Sequence, residues 1–291
     1  MADYQVNAYR DTYEVYELTE ESTGSRVTVC PERGGIVTGF ASGGKELLYL
    51  DRDTFLDPNA NIRGGIPILF PISGQLPEGM YEWEGAAYRI RNHGVVRNRP
   101  WQVVGTSTDG SASLTLRFVS DAGTEAEYPF AFELLFTYRL QDGKLRIEQE
   151  YINHSDRPLP FYAGLHPYFY ATPGPVAYQT DATRLLDLND GEEKPFAGTL
   201  DISEAKESVV LLNASEPSIS FLPNGAGAIK LAYSPVFKYI VLWTAPGKPF
   251  LCVEPWMAKN EEMLRGEELV SVEPGSRLHA FVEIAAGRTA E

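Results

Sequence analysis

The chain has 291 residues, 43% hydrophobic and 22% charged, the make-up of a soluble globular protein that can bury a sizeable core and still hold a deep pocket. A net charge of −15 disfavours non-specific binding to nucleic acid or to an anionic membrane, so a small-molecule partner is expected. No apolar run approaches the roughly 18–20 residues needed to span a bilayer. The opening Met1-Ala2-Asp3-Tyr4-Gln5 lacks the basic and apolar regions of a secretory leader. The two cysteines, Cys30 and Cys252, read as buried thiols rather than a bridge. A cytoplasmic protein is expected, a monomer or weak homodimer.

Along the chain the hydrophobic period is mostly two. Residues 26–30 and 36–40 read as strands, and in 114–118 leucine, leucine and phenylalanine share one face against Thr115 and Arg117. Phe132, Leu134, Phe136, Tyr138 and Leu140 alternate in the same way. Gln141-Asp142-Gly143 then turns the chain, because Asp-Gly supplies the positive φ of a tight hairpin, and 145–151 returns. Residues 208–212, 239–243 and 278–284 are further strands, with His279 on the face opposite Leu278 and Ala280. Residues 261–269 could form a helical turn, interrupted by Gly266. With 26 glycines and 20 prolines as punctuation, no repeat and no linker, the expectation is a single all-β domain over 1–291, built as a large antiparallel β-sandwich.

Candidate chemistry falls at three places. The stretch 61–100 holds Arg63, Arg89, Arg91, Arg97 and Arg99 against Glu78, Glu82 and Glu84, a local balance of +2 in an acidic chain. Arginine's planar fork suits hydroxyl pairs, carboxylates and phosphates, and Gly64-Gly65 beside Arg63 would let a ligand approach the backbone. The alternative is that these arginines pair with surface acids. His166 follows Leu165 and precedes Pro167-Tyr168-Phe169-Tyr170, near a strand end in aromatic surroundings; it is either a proton-transfer group or a satisfied structural histidine. Glu254 interrupts an apolar run from Phe250 to Trp256, where a carboxylate needs compensation. It is either half of a buried ion pair or a base tuned by its dry setting. His154 reads as part of a polar turn. A metal site of His93, His166 and Glu254 is chemically possible, yet no HxH, HExxH or CxxC spacing supports one, and none is expected. No P-loop, G-x-S-x-G or strand–GxGxxG–helix unit is present.

Four motifs together, Arg63-Gly64-Gly65-Ile66-Pro67, His93-Gly94-Val95-Val96-Arg97, His166-Pro167-Tyr168-Phe169 and Glu254-Pro255-Trp256, resemble in content and order those of galactose-mutarotase-like proteins. The resemblance is to the branch of aldose 1-epimerases and hexose-6-phosphate mutarotases, over roughly residues 20–285. It implies a large β-sandwich that interconverts the α and β anomers of a hexose or hexose 6-phosphate without a cofactor. His166 would be the acid and Glu254 the base. Arg63, Asn92, His93 and Arg97 would contact substrate, and the mid-chain substrate-binding aspartate of the family falls on Asp201. Asn92 stands where glutamine is frequent and Val95-Val96 where Phe-Ala is usual. Phe70-Pro71-Ile72-Ser73-Gly74-Gln75 differs from the aromatic-rich segment of the phosphate-specific members. The alternatives are a non-catalytic carbohydrate-binding sandwich, and a glycosidase or lyase, although a glycosidase wants two carboxylates and Glu254 stands alone.

Overall fold

The hairpin at Asp142-Gly143 lies near the middle of the largest sheet in the computed structural model, which describes residues 3–287. Phe132–Gln141 pairs with Lys144–Asn153 in continuous register, from Phe132 opposite Asn153 to Gln141 opposite Lys144. Asp142 and Gly143 take φ values of 51° and 68°, the double positive φ of a type I′ turn. The buried carboxylate of Glu20 fastens this turn, accepting from the N–H groups of Asp142 and Gly143 at 2.9 and 2.7 Å.

Nine strands form that sheet, in the order Thr199–Leu200, Val176–Gln179, Ser218–Leu222, Ile229–Tyr233, Arg277–Ala286, Lys144–Asn153, Phe132–Gln141, Ala112–Val119 and Gln102–Ser107. A second sheet runs Glu192–Pro195, Arg184–Asp187, Val209–Leu212, Tyr239–Trp243, Phe250–Trp256, Gly164–Leu165 and Ile68–Leu69, and Tyr168–Tyr170 also pairs with Phe250–Trp256. A five-stranded antiparallel meander from Tyr4–Arg10 to Lys45–Glu46 packs beside them.

The inner faces meet in one core, to which the nine-stranded sheet gives Leu134, Phe136, Ile147 and Val282, the second sheet Leu211, Ile240, Leu251 and Val253, and the meander Leu18, Val27 and Phe40. The all-β sandwich expected from the period-two pattern is therefore the observed architecture. Helix is confined to short turns, and among the described residues no helix is long and apolar enough to cross a membrane. Glu262–Arg265 is the helical turn expected near 261–269; Gly266 ends it, at φ 68°, with its N–H donating to the Glu262 carbonyl. Cys30 and Cys252 are both free and buried. His279 is exposed while Ala280 is buried, as alternation requires.

Candidate active site

Alternation sorts the seven buried side chains of Phe250–Trp256 between two environments. Leu251 and Val253 enter the main core, whereas Cys252, Glu254 and Trp256 share the opposite face. Two points of register bring the histidine to this face. Gly164 lies opposite Trp256 and Tyr168 opposite Cys252, so His166 comes level with Glu254. Its Nδ1 lies 3.4 Å from Glu254 Oε1, within ion-pair reach but not aligned as a hydrogen bond. The imidazole stacks on Tyr168 with centroids 4.5 Å apart and meets the edge of Trp243 at 5.9 Å. Glu254 Oε2 accepts the indole N–H of Trp256 at 3.0 Å.

Burial dominates the electrostatics of the pair. It pushes the Glu254 carboxyl well above the usual range, against the opposing pull of the Trp256 hydrogen bond and the Arg97 charge. It pushes His166 well below the usual imidazole range, and Arg97 pushes it the same way. The pair therefore favours neutral carboxylic acid and neutral imidazole.

His93 approaches from a third element. It takes φ 67°, a left-handed conformation uncommon for a side chain of this size, and its ring centroid lies 5.3 Å from that of His166. Its N–H donates to the Gly74 carbonyl at 2.8 Å while its Nδ1 accepts from the Gly74 N–H at 3.0 Å. With Nδ1 an acceptor, and burial holding the ring neutral, the proton of His93 resides on Nε2. Gly94 must be glycine, because a Cβ there would sit 2.1 Å from the Phe70 carbonyl oxygen. Arg97 is buried, with one nitrogen donating to the Ile62 carbonyl at 2.9 Å and its Nε unpartnered.

These groups line a cavity of about 320 Å³ together with Asn61, Arg63, Gly74, Gln75, Asn92, Tyr168, Lys206, Glu207, Ser208, Trp243, Trp256 and Asn260. Six of the seven residues singled out from sequence thus converge: Arg63, Asn92, His93, Arg97, His166 and Glu254. Asp201 does not. It is exposed and its carboxylate accepts from the Ser203 N–H and hydroxyl at 3.0 and 2.7 Å, closing a local turn outside the cavity. The carboxylate that the same connecting segment does bring to the cavity is Glu207. Gly64 and Gly65 also differ from expectation. They make room for the chain itself, since a Cβ at Gly64 would lie 2.5 Å from Leu50 Cα and one at Gly65 2.2 Å from the Val37 carbonyl. A larger groove, about 510 Å³, runs between Arg184 and Lys259, but its Glu193 is tied to Arg184 at 2.6 Å and no histidine reaches it.

Arg63 and Lys206 line the cavity without an ion-pair partner among the described residues. Lys206 and Glu207 are presented by Asn189, which sequence reasoning missed because nothing local marks it. Its Oδ1 accepts from the Lys206 and Glu207 N–H groups at 3.0 and 2.9 Å, and its Nδ2 donates to the Glu207 carbonyl at 3.2 Å. Asn189→Ala is expected to raise KM for a cavity ligand at least about tenfold, from losing three bonds worth about 0.5–1.5 kcal/mol each, with kcat nearly unchanged. Steady-state kinetics check this; a fall in kcat at constant KM would place the clamp elsewhere in the reaction. Among the described residues, one group could hold a metal ion: His166, Cys252 and Glu254, all buried. Cys252 takes the place that sequence reasoning weighed for His93, whose Nδ1 is committed to Gly74.

A buried histidine and carboxylate thus face one cavity on one sheet of an antiparallel β-sandwich. The family profile described as aldose 1-epimerase matches residues 14–275, and the chain belongs to that family. It is similar to the Slr1438 protein of Synechocystis sp. PCC 6803, at 36% identity and a TM-score of 0.92, over 98% of this chain and 100% of that one. A galactose mutarotase related enzyme from Lactobacillus acidophilus shares the fold at 17% identity, with a TM-score of 0.76 over 99% of each chain. A protein of Escherichia coli (strain K12), provisionally named glucose-6-phosphate 1-epimerase, is 26% identical over 183 residues, which are 61% of this chain and 57% of that protein. The match thus spans little more than half the length of that curated relative.

Proposed function

We propose that the protein is an aldose 1-epimerase, interconverting the α and β anomers of a hexose or hexose 6-phosphate, with Glu254 and His166 as its acid/base pair. The observation that carries this reading is the 3.4 Å approach of the two buried groups beside a cavity of sugar size. In ring opening, Glu254 as carboxylate takes the proton of the anomeric hydroxyl and His166 as imidazolium protonates the ring oxygen. The C1–O5 bond breaks as the aldehyde C=O forms; rotation about C1–C2 and closure on the other face return both protons. Opening therefore converts an ionic pair into a neutral one. Burial favours the neutral pair, so the dry site assists the opening step, whereas Arg97 supports the carboxylate from which it starts. Only proton transfers are required, and no cofactor takes part.

Asn92, the Nε2–H of His93 and Glu207 are suited to sugar hydroxyls. Arg63 and Lys206, cations without an ion-pair partner among the described residues, are suited to a 6-phosphate. Trp243, half-buried at the edge of His166, offers an apolar face to the sugar ring. Polarimetry or NMR exchange with α-glucose, α-galactose and glucose 6-phosphate tests the reading. Catalysed mutarotation of at least one is expected. The buffer rate on all three would reject the enzyme for these substrates, and sugar binding without catalysis would favour a carbohydrate-binding sandwich instead.

A further inference from the structure

Cys252 has no part in the proposed proton chemistry, yet its thiol faces both of the groups that do. We propose that His166, Cys252 and Glu254 form a binding site for a soft or borderline divalent cation such as Zn²⁺ or Co²⁺. On the acid/base reading above, on which this consequence rests, its occupation blocks the reaction. The three donor atoms, one sulfur, one nitrogen and one oxygen, all lie within 4.8 Å of one another. Zn²⁺ binds such donors at about 2.0–2.3 Å, so contraction by ~1 Å brings the set to coordination distance. Thiolate and imidazole select Zn²⁺ and Co²⁺ over Mg²⁺ and Ca²⁺.

A second observation points the same way. His166 is 5% exposed and its Nδ1 has no hydrogen-bond partner among the described residues, a lone nitrogen in a dry site beside the other two donors. The outer surroundings also suit an ion. Trp256 orients Glu254 through its indole N–H, and stacking on Tyr168 fixes the plane of His166. Carboxylate and thiolate together cancel the charge of a dication, which leaves Arg97 as the local excess. Binding ionises both the thiol and the neutral Glu254 carboxyl: the S–H and O–H bonds break, the S–metal and O–metal bonds form, and two protons leave to solvent. His166 and Glu254 line the cavity whereas Cys252 lies behind them, so the ion enters where the sugar would. A bound ion takes up the Glu254 and His166 electron pairs that proton transfer uses.

Titration of the full-length, metal-free protein with Co²⁺ tests this without reference to activity. A thiolate-to-cobalt charge-transfer band saturating at one equivalent is expected, bleached by equimolar Zn²⁺, retained in Cys30→Ser and lost in both Cys252→Ser and Cys252→Ala. Two substitutions of different size separate ligand loss from a packing defect. Zn²⁺ should inhibit wild-type mutarotation, and each Cys252 variant, against its own metal-free rate, should need at least about 100-fold more Zn²⁺, a larger loss than an outer partner causes. No band at stoichiometric Co²⁺, or a band that survives in both Cys252 variants, overturns the site. A band in a protein that shows no mutarotation without metal would leave the site standing and reject the enzyme reading instead.

Discussion

Glu254→Gln is expected to lower kcat for mutarotation by about 10²–10⁴-fold, the range one general acid/base group contributes, while the protein folds and melts at least as well as wild type. The two halves of this result have one cause. Glu254 is 1% exposed, and burial makes its ionised form costly. Glutamine keeps the shape, its amide oxygen can still accept from Trp256 Nε1, and its NH₂ faces the free Nδ1 of His166. The substitution removes a group that burial forces to stay protonated where the unfolded chain would ionise it, and with it the base. Its pH dependence has a definite sign. The folded carboxyl sits above its unfolded value, so its contribution to stability is fully present below the unfolded pKa and is lost as pH rises through the folded one. The thermal advantage of Glu254→Gln should therefore widen with rising pH, as calorimetry across a pH series would report. An unchanged kcat, or an advantage that shrinks as pH rises, would contradict the assignment.

His166→Asn should cost about as much, 10²–10⁴-fold in kcat, and the double variant with Glu254→Gln little more than either alone. Both groups act on one substrate in one step, and opening needs a proton given as well as a proton taken, so removing either disables the unit. The side-chain consequences differ. Asparagine loses the stack on Tyr168 and the edge contact with Trp243, each worth about 0.5–1.5 kcal/mol. His166→Asn should consequently melt lower than wild type, opposite to Glu254→Gln. Fully additive losses in kcat would mean that the two residues serve separate steps.

Much of the fold was legible because half-buried strands write period two into the chain. The hairpin at Asp142-Gly143 and the strand Tyr239–Trp243 appear where alternation and turn chemistry put them. The N-terminal strands Tyr4–Arg10 and Glu14–Glu20 were not legible, because Tyr4–Arg10 is largely exposed and Glu14–Glu20 turns mixed polar and apolar residues inward, including the buried Glu20. Arg63-Gly64-Gly65 misled in part: glycine signals a close approach, and the sequence cannot say whether a ligand or the chain's own backbone makes it.

The sequence by itself determined the sandwich, the family motifs and the improbable carboxylate in an apolar run, since each is written in local pattern or composition. Tertiary structure decided the rest. Strand register set His166 level with Glu254, the meeting of two turns 19 residues apart gave His93 its Gly74 partner, and the Asn189 clamp brought Glu207 to the cavity while Asp201 was spent on a turn. These contacts join residues from 17 to 88 positions apart, beyond the reach of any local pattern. For the same reason the pKa shifts of the pair, and the thiol behind it, follow from a dry environment that no single segment contains.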